Sequence, residues 1–383
     1  MSCAGWKRKK IGELFDVQLG KMLNEKAKQG EQYPYLANFN VRWGSFDLSK
    51  LNKMYFSEKE KKKFSLRCGD LLMCEGGEIG RCAVWNKTNQ SIYYQKALHR
   101  LRPLNHDIES LFVYYFMEHI ASKGELSKIV GESSIAHLTR EKLLHLLVPT
   151  PPCNEQKMIV RNLSTWDQAI EKAERLIAVK EKRFTWLLNK LINEGNDNRD
   201  WRKVQLGDLA VIQKGQQLNV DDMIDAGKYY ALNGGMEPSG FTNNWNTHEN
   251  TITISEGGNS CGFVNFNIQK FWCGGHCYVL NNVHSDVEKK YLYFFLKLHE
   301  QLLMSLRVGS GLPNIQKKDL QKFPVLFPSL IDQKKIAGIL DNVWQEIDIL
   351  KKQLEAYRKQ KRGLMQKLLT GQWRVKINKG ETN

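Results

Sequence analysis

Pro151-Pro-Cys-Asn-Glu-Gln-Lys157 and Pro328-Ser-Leu-Ile-Asp-Gln-Lys334 open two stretches that share one apolar rhythm at a constant offset of 177 residues. In the first, Ile159, Leu163, Trp166, Ile170, Ala173, Ile177, Phe184, Leu187 and Leu191 advance by four and three, with Lys180 in the one missing step. In the second, Ile336, Leu340, Val343, Ile347, Leu350, Leu354, Tyr357, Leu364 and Leu368 repeat the pattern, with Lys361 as its exception. An apolar residue every 3.5 positions draws a stripe that one straight helix cannot bury alone. Proline suits the start of such a helix, because its missing N–H would have no intrahelical partner there. The pattern predicts two long helices, running to about Ile192 and Leu369, each roughly 60 Å long at 1.5 Å per residue. Packing of each stripe on its own globular part is the alternative; heptads kept in one phase through both copies favour mutual packing.

The repeat reaches beyond the helices. Trp6-Lys-Arg-Lys-Lys-Ile-Gly-Glu-Leu14 matches Trp201-Arg-Lys-Val-Gln-Leu-Gly-Asp-Leu209, and Tyr35-Leu-Ala-Asn38 falls on Tyr230-Ala-Leu-Asn233. Gly69-Asp-Leu-Leu-Met-Cys-Glu-Gly-Gly77 matches Asn250-Thr-Ile-Thr-Ile-Ser-Glu-Gly-Gly258. The offset falls from 195 to 181 and then to 177, so the first copy carries extra material, mostly between Tyr35 and Glu75. That material includes the basic run Ser57-Glu-Lys-Glu-Lys-Lys-Lys-Phe64, of a kind more often a solvated surface than a specific contact. Apolar runs flanking Glu75-Gly-Gly77 and Glu256-Gly-Gly258 read as strands joined by turns that glycine permits. Leu111–Met117 and Tyr291–Lys297 read as core, with helix favoured over strand. The polar linker Asp197-Asn-Arg-Asp200 is short, and short connections favour antiparallel helices. The expected shape is a caliper: two globular parts at opposite ends of a rod, related by a pseudo-two-fold axis.

A chain of 383 residues with 42% hydrophobic content is a folded protein with room for two or three domains. No run of about 18 apolar residues offers a membrane span. The basic start Met1–Lys10 lacks the apolar segment of a signal peptide, so a cytoplasmic location is expected. The formal charge of +16, from 57 Lys+Arg against 41 Asp+Glu, points to a polyanionic partner. Nucleic acid is favoured over an anionic membrane, because the apolar faces of both helices are already committed. Cys273-Gly-Gly-His276-Cys277 has no second ligand pair, so reduced thiols are expected rather than a zinc site.

No phosphate loop, Gly-x-Ser-x-Gly elbow, His-Glu-x-x-His pair or Asn/Asp-Pro-Pro-aromatic tetrapeptide is present. Binding features remain. Asn38, Asn40, Arg42 and Trp43 follow the first Tyr35 segment, Arg81 follows the glycine turn, and Gln95, Lys96 and His99 lie on an expected strand. Ser133, Ser134, His137 and Arg140 line a polar loop entering a short helix, and Ser310, Asn314, Gln316, Lys317 and Lys318 line its counterpart. Asn233, Asn259 and His276 complete the second set. Arg and Lys grip phosphates, while Arg, Asn, Gln, Ser and His read base edges.

The repeated Trp-x4-Ile/Leu-Gly-Glu/Asp-Leu opening, the Gly-Asp-Leu-Leu…Gly-Gly-x-x-Gly-Arg segment and Pro-x3-Glu/Asp-Gln-Lys before a long helix resemble the DNA specificity subunits of type I restriction–modification enzymes. The resemblance covers residues 6–370. It implies an α+β chain of two target recognition domains with mostly β cores, separated by two helices in an antiparallel coiled coil. The expected boundaries are 1–150 and 197–327 for the recognition domains, 151–196 and 328–372 for the helices, and 373–383 for a tail. It further implies a non-catalytic subunit that binds double-stranded DNA, each domain reading half of a split target. Methyltransferase subunits, two of them expected, dock on the helices, and restriction/translocase subunits complete the complex. S-adenosylmethionine, ATP and Mg are expected on those partners and no cofactor or metal on this chain. Glu171, Arg175, Gln353 and Arg358, on the exposed heptad flanks, are candidate partner contacts. Ser260-Cys261 stands in the second copy where Glu78-Ile79 stands in the first, so base contacts do not transfer between copies. A stand-alone DNA-binding scaffold would share these features, and a monomeric methyltransferase would need the missing motifs.

Overall fold

The computed structural model describes residues 5–22, 30–88, 91–130, 137–193, 201–309 and 313–375. Two compact units emerge: residues 1–173 with 353–383, and residues 174–352. Each boundary falls inside a long helix, so each unit owns one segment of both.

In the first unit, β1 (Lys7–Lys10) pairs with β9 (Leu147–Thr150). A four-stranded antiparallel sheet has the order β2-β8-β5-β6, from Phe15–Leu19, Leu98–Pro103, Leu71–Cys74 and Cys82–Val84. A three-stranded sheet joins β3 (Glu31–Leu36) to β4 (Asn52–Phe56) antiparallel and to β7 (Tyr93–Tyr94) parallel. The larger sheet is covered on both faces. Leu71, Met73 and Leu101 join a cluster with Phe112, Val113 and Met117 of α2 (Ser110–Ser122). Leu72, Cys74 and Leu98 join another with Phe56, Phe64, Trp85 and Tyr94. Two-sided burial explains why β5 is apolar throughout rather than alternating; each fully buried Leu or Phe stabilises by roughly 1.5–3 kcal/mol. The basic run forms helix α1 (Glu58–Phe64), whose start is held by Glu60 Oε2 accepting from the Ser57 N–H at 2.9 Å.

The second unit repeats this plan. β10 (Arg202–Gln205) pairs with β18 (Pro324–Phe327). The larger sheet has the order β11-β17-β14-β15, from Val211–Lys214, Cys277–Asn281, Thr251–Ser255 and Val264–Asn267. In the smaller, β12 (Tyr229–Leu232) pairs antiparallel with β13 (Gly240–Thr242) and parallel with β16 (Trp272–Cys273). Helix α4 (Lys289–Leu298) takes the place of α2. The uncertain Tyr-rich segments are thus helices in both copies, because their apolar residues face a sheet on one side and the long helices on the other. The extra material of the first unit includes a hairpin at Val41–Phe46 and α1, while β4 has its counterpart in β13.

The long helices are α3 (Cys153–Ile192) and α5 (Leu330–Leu369). A buried glutamine, Gln156 or Gln333, ties each first turn to its globular part. In the first unit Ile159 and Leu163 of α3 share a core with Met365, Leu368 and Leu369 of α5, and the Trp166 and Tyr357 rings meet edge-on at 5.7 Å. Glu155, 1% exposed, accepts from Trp6 Nε1 at 3.2 Å and from Arg374 Nε and Nη2 at 2.6 and 2.9 Å. In the second unit Phe184, Leu188 and Ile192 share a core with Ile336, Leu340 and Ile347. Lys180 and Glu181 of α3 pair with Glu346 at 2.6 Å and Lys351 at 2.7 Å, and Phe184 meets Trp344. Within each unit, residue numbers rise along the α3 segment as they fall along the α5 segment. The stripes pack both on the globular parts and on each other. No described helix is long and apolar enough to cross a membrane.

Candidate nucleic-acid interface

In the first unit the turn after β5 is a hub. Gly77 and Gly80 take φ of 76° and 73°, which a side chain would strain. Glu75 donates its N–H to Ala97 O at 3.0 Å and accepts from the Leu138 N–H at 2.8 Å, tying the turn to the strand and to the polar loop. Arg81 Nη2 donates to Asn38 O at 2.8 Å and Nη1 to Glu78 at 2.9 Å, while Trp43 Nε1 donates to the other Glu78 oxygen at 2.5 Å. The Trp43 bond, with Arg81 beside it, holds the Glu78 carboxyl below its ordinary pKa despite partial burial. A Cβ on Gly76 would stand 2.9 Å from His137 Nδ1, so glycine admits that ring. The turn thereby gathers Asn38, Trp43, Arg81 and His137, of which His137 is exposed.

The second unit builds the same hub from other side chains. Glu256 donates to His276 O at 3.0 Å and accepts from the Ile315 N–H at 2.8 Å. A Cβ on Gly257 would collide with the side-chain oxygen of Asn314. Lys214 Nζ lies 2.7 Å from Glu256 Oε1, and His276 Nδ1 lies 3.7 Å from Oε2. Asn233 is partly buried against Gly274. Asn259, Gln316, Lys317 and Lys318 are exposed, the last two opening the short helix Lys317–Gln321. One correspondence shows how closely the hubs agree: His99 Nε2 meets Leu138 O at 3.0 Å, and Tyr278 donates its hydroxyl to Ile315 O at 3.0 Å.

Other expected contacts spread around these turns. Arg42 is exposed and 3.7 Å from Asp47. Arg140 is exposed, its Nε donating to Val17 O at 2.9 Å. Lys96 is exposed, and Gln95 braces its own turn through the Ala97 N–H at 3.4 Å. Ser133, Ser134 and Ser310 lie outside the described residues. Two expectations need correction. Asn40, 1% exposed, spends its amide inside the loop, Nδ2 donating to Asp47 O and Lys50 O and Oδ1 accepting from the Ala37 N–H. His99 is fully buried, because β8 is an inner strand covered on both faces. Both are braces, not surface contacts. Lys214 is a further basic group at the second hub, carried to Glu256 by strand pairing rather than by sequence spacing. Glu78 is the acid that orients Trp43 and Arg81, a role that only the folded turn brings out.

On the helices Glu171 and Arg175 are exposed, Gln353 donates to Tyr357 Oη at 2.5 Å and Arg358 Nη1 to Glu355 at 2.5 Å. Cys273 and Cys277 are buried free thiols. Among the described residues no group of three His, Cys, Asp or Glu could hold a metal ion. The hubs offer basic groups, amides and turn backbone to a polyanion, with no nucleophile–base pair among them.

Comparison with known proteins gives a consistent result. The model of the type I restriction modification DNA specificity domain matches residues 4–181 and again residues 198–356. The chain is 36% identical over 177 residues to a Mycoplasma pneumoniae protein named as a type I specificity subunit, an alignment spanning 46% of this chain and 47% of that one. It is 23% identical over 415 residues to the MjaX type I restriction enzyme specificity subunit of Methanocaldococcus jannaschii, spanning 97% and 94%. The fold matches the crystal structure of a type I restriction–modification S subunit from M. genitalium, with TM-score 0.71 over 99% of this chain and 100% of that one at 19% identity.

Proposed function

Because this chain belongs to the type I restriction–modification DNA specificity family, we propose that it is the non-catalytic, DNA-reading subunit of such a complex. Each globular part acts as a target recognition domain for one half of a bipartite sequence, with the expected boundaries 1–150 and 197–327. The observation that carries this reading is the duplicated hub: identical backbone bonds at Glu75 and Glu256 hold different outward side chains. One scaffold aimed twice, with different chemistry at each tip, suits two different half-sites. The net charge of +16 supplies phosphate attraction, and exposed Arg, Lys, Asn and Gln supply base readout.

The two helices act as an antiparallel coiled coil that sets the spacing, on the scale of the roughly 34–36 Å that separate half-sites one DNA turn apart. Their outer flanks, with Glu171, Arg175, Gln353 and Arg358, dock methyltransferase subunits, two per chain, and restriction subunits join the cytoplasmic complex. S-adenosylmethionine, ATP and Mg act on those partners, where the target base is flipped for methylation. The test is a genome-wide map of methylated bases with and without the gene. A split motif with a fixed gap that vanishes on deletion supports the reading; an unchanged map in cells that express the methyltransferase refutes it and leaves a stand-alone DNA-binding scaffold.

A further inference from the structure

The repeat allows the two units to be compared atom for atom where the long helices meet the globular parts. The offset of 177 places Asp167 on Trp344 and Phe184 on Lys361. Helices α2 and α4, whose caps Glu109 and Glu288 are bound in the same way to Gln156 and Gln333, place Tyr115 on Phe294 and Glu118 on Lys297. In the first unit Lys361 is 7% exposed, its Nζ 2.7 Å from Asp167 and 3.0 and 3.1 Å from the two Glu118 oxygens. Tyr115 donates to Asp167 at 2.5 Å, and its ring centroid lies 5.4 Å from Nζ. In the second unit the counterparts of Lys361, Asp167 and Tyr115 are all rings: Phe184 lies 5.5 Å from Trp344 and 5.9 Å from Phe294. Lys297 turns away to Glu300 at 2.7 Å. One packing position is thus charged in one unit and aromatic in the other.

We propose that this difference is a key: it makes the helices pair within one chain and blocks like-with-like pairing between two copies. Much of the stripe discriminates little, since Ile177 and Leu354, Leu187 and Leu364, or Leu191 and Leu368 are interchangeable apolar residues; Lys180 against Tyr357 is a further mismatch, but its ion pair with Glu346 is partly exposed. In a like-with-like pair, the late part of α3 from one copy would take the place of the late part of α5 in the other's first unit. Phe184 would then stand where Lys361 stands. Glu118 and Asp167 would face a ring with no cation, and removing one member of a buried ion pair is far more costly than never having built it. Reciprocally, Lys361 would enter the ring pocket of Phe294 and Trp344 beside Lys297, without a carboxylate. A polar group at one core position of a helix pair is a recognised way to fix partner choice. Burial already pushes the Glu118 carboxyl up against the pull of Lys361, which shows how dependent that carboxylate is on its cation.

The experiment refolds the full chain from denaturant over a range of concentrations and measures mass by light scattering after size exclusion. The wild-type chain is expected to be monomeric. A neutral node of similar shape, Glu118→Gln with Asp167→Asn and Lys361→Met, should raise the dimer fraction about threefold or more, since the penalty on exchange is gone. Phe184→Lys approaches from the other side by giving α3 the cation that like-with-like pairing lacks, and should raise it too. If the neutral node does not refold, Phe184→Lys carries the test alone. Dimer fractions equal to wild type in every variant that refolds would overturn the proposal, as would a wild-type chain that refolds mainly to dimers.

Discussion

Gln156 and Gln333 make the same three hydrogen bonds in their two units. Each accepts one backbone N–H, from Glu109 at 2.9 Å and Glu288 at 2.8 Å. Each donates to two carbonyls: Asp107 and Pro151 in one case, both at 2.8 Å, and Asp286 and Pro328 in the other, at 3.1 and 3.0 Å. Both are fully buried. A primary amide is the side-chain group that accepts once and donates twice in this arrangement, which explains the Gln in both helix openings.

Gln156→Ala therefore strands one donor and two acceptors and should cost about 2–4 kcal/mol, as buried unsatisfied groups do. Gln156→Glu keeps the acceptor but aims a carboxylate at two carbonyls. It should cost more at neutral pH and recover partly in acid, where the protonated group can donate. Urea denaturation at pH 7.5 and pH 5 checks both; equal loss at the two pH values would contradict the carbonyl contacts.

Asn40 and Arg42 are two residues apart and should behave oppositely. Asn40→Ala removes three internal hydrogen bonds and should lower stability by about 2–3 kcal/mol. Arg42→Ala should leave stability within about 0.5 kcal/mol, because its ion pair is exposed, and weaken DNA binding. Thermal melts beside fluorescence anisotropy on a duplex bearing the mapped motif separate the two roles.

Lys317 and Lys318 are exposed at the second hub. If each meets a phosphate, the double alanine variant weakens binding to matched and mismatched duplexes alike. It also reduces the slope of log affinity against log salt by about 1.8. Selective loss on the matched duplex would instead mean base contact.

His99 is held below its ordinary pKa of 6.5 by burial, and so is His119. The unfolded chain takes up these protons as pH falls through about 6.5, while the folded chain resists until lower pH. Their contribution to stability is thus complete above that value and is lost between it and the folded values. His99→Gln keeps a donor for Leu138 O and should flatten the fall in melting temperature between pH 7.5 and pH 5.5. The counterpart Tyr278 is pushed up to about 12, chiefly by burial, so the position matching His99 in the second unit does not titrate in this range.

The helices and the duplication were legible because heptads and repeated dipeptides are local signals. Glu75 and Glu256 were legible as turns for the same reason. Asn40 and His99 misled because their surroundings are polar in sequence, as in Gln95-Lys96-Ala97-Leu98-His99-Arg100. Only the stacking of a second cluster on the sheet turns that segment inward. Lys361 was legible as an anomaly in the stripe, yet its meaning needed Glu118, which reaches it from a separate helix 243 residues away.

The division of the chain into one continuous unit and one split unit has a consequence for its synthesis. Residues 174–352 form a contiguous unit, so all of it is synthesised before the closing part of α5. The first unit begins earlier but waits for Lys361, Met365 and Arg374 to fill its core and cover Glu155. The order of translation and the order of completion are therefore reversed: the part made first lacks the partners of Glu118 and Glu155 until the closing part of α5 and Arg374 have been added.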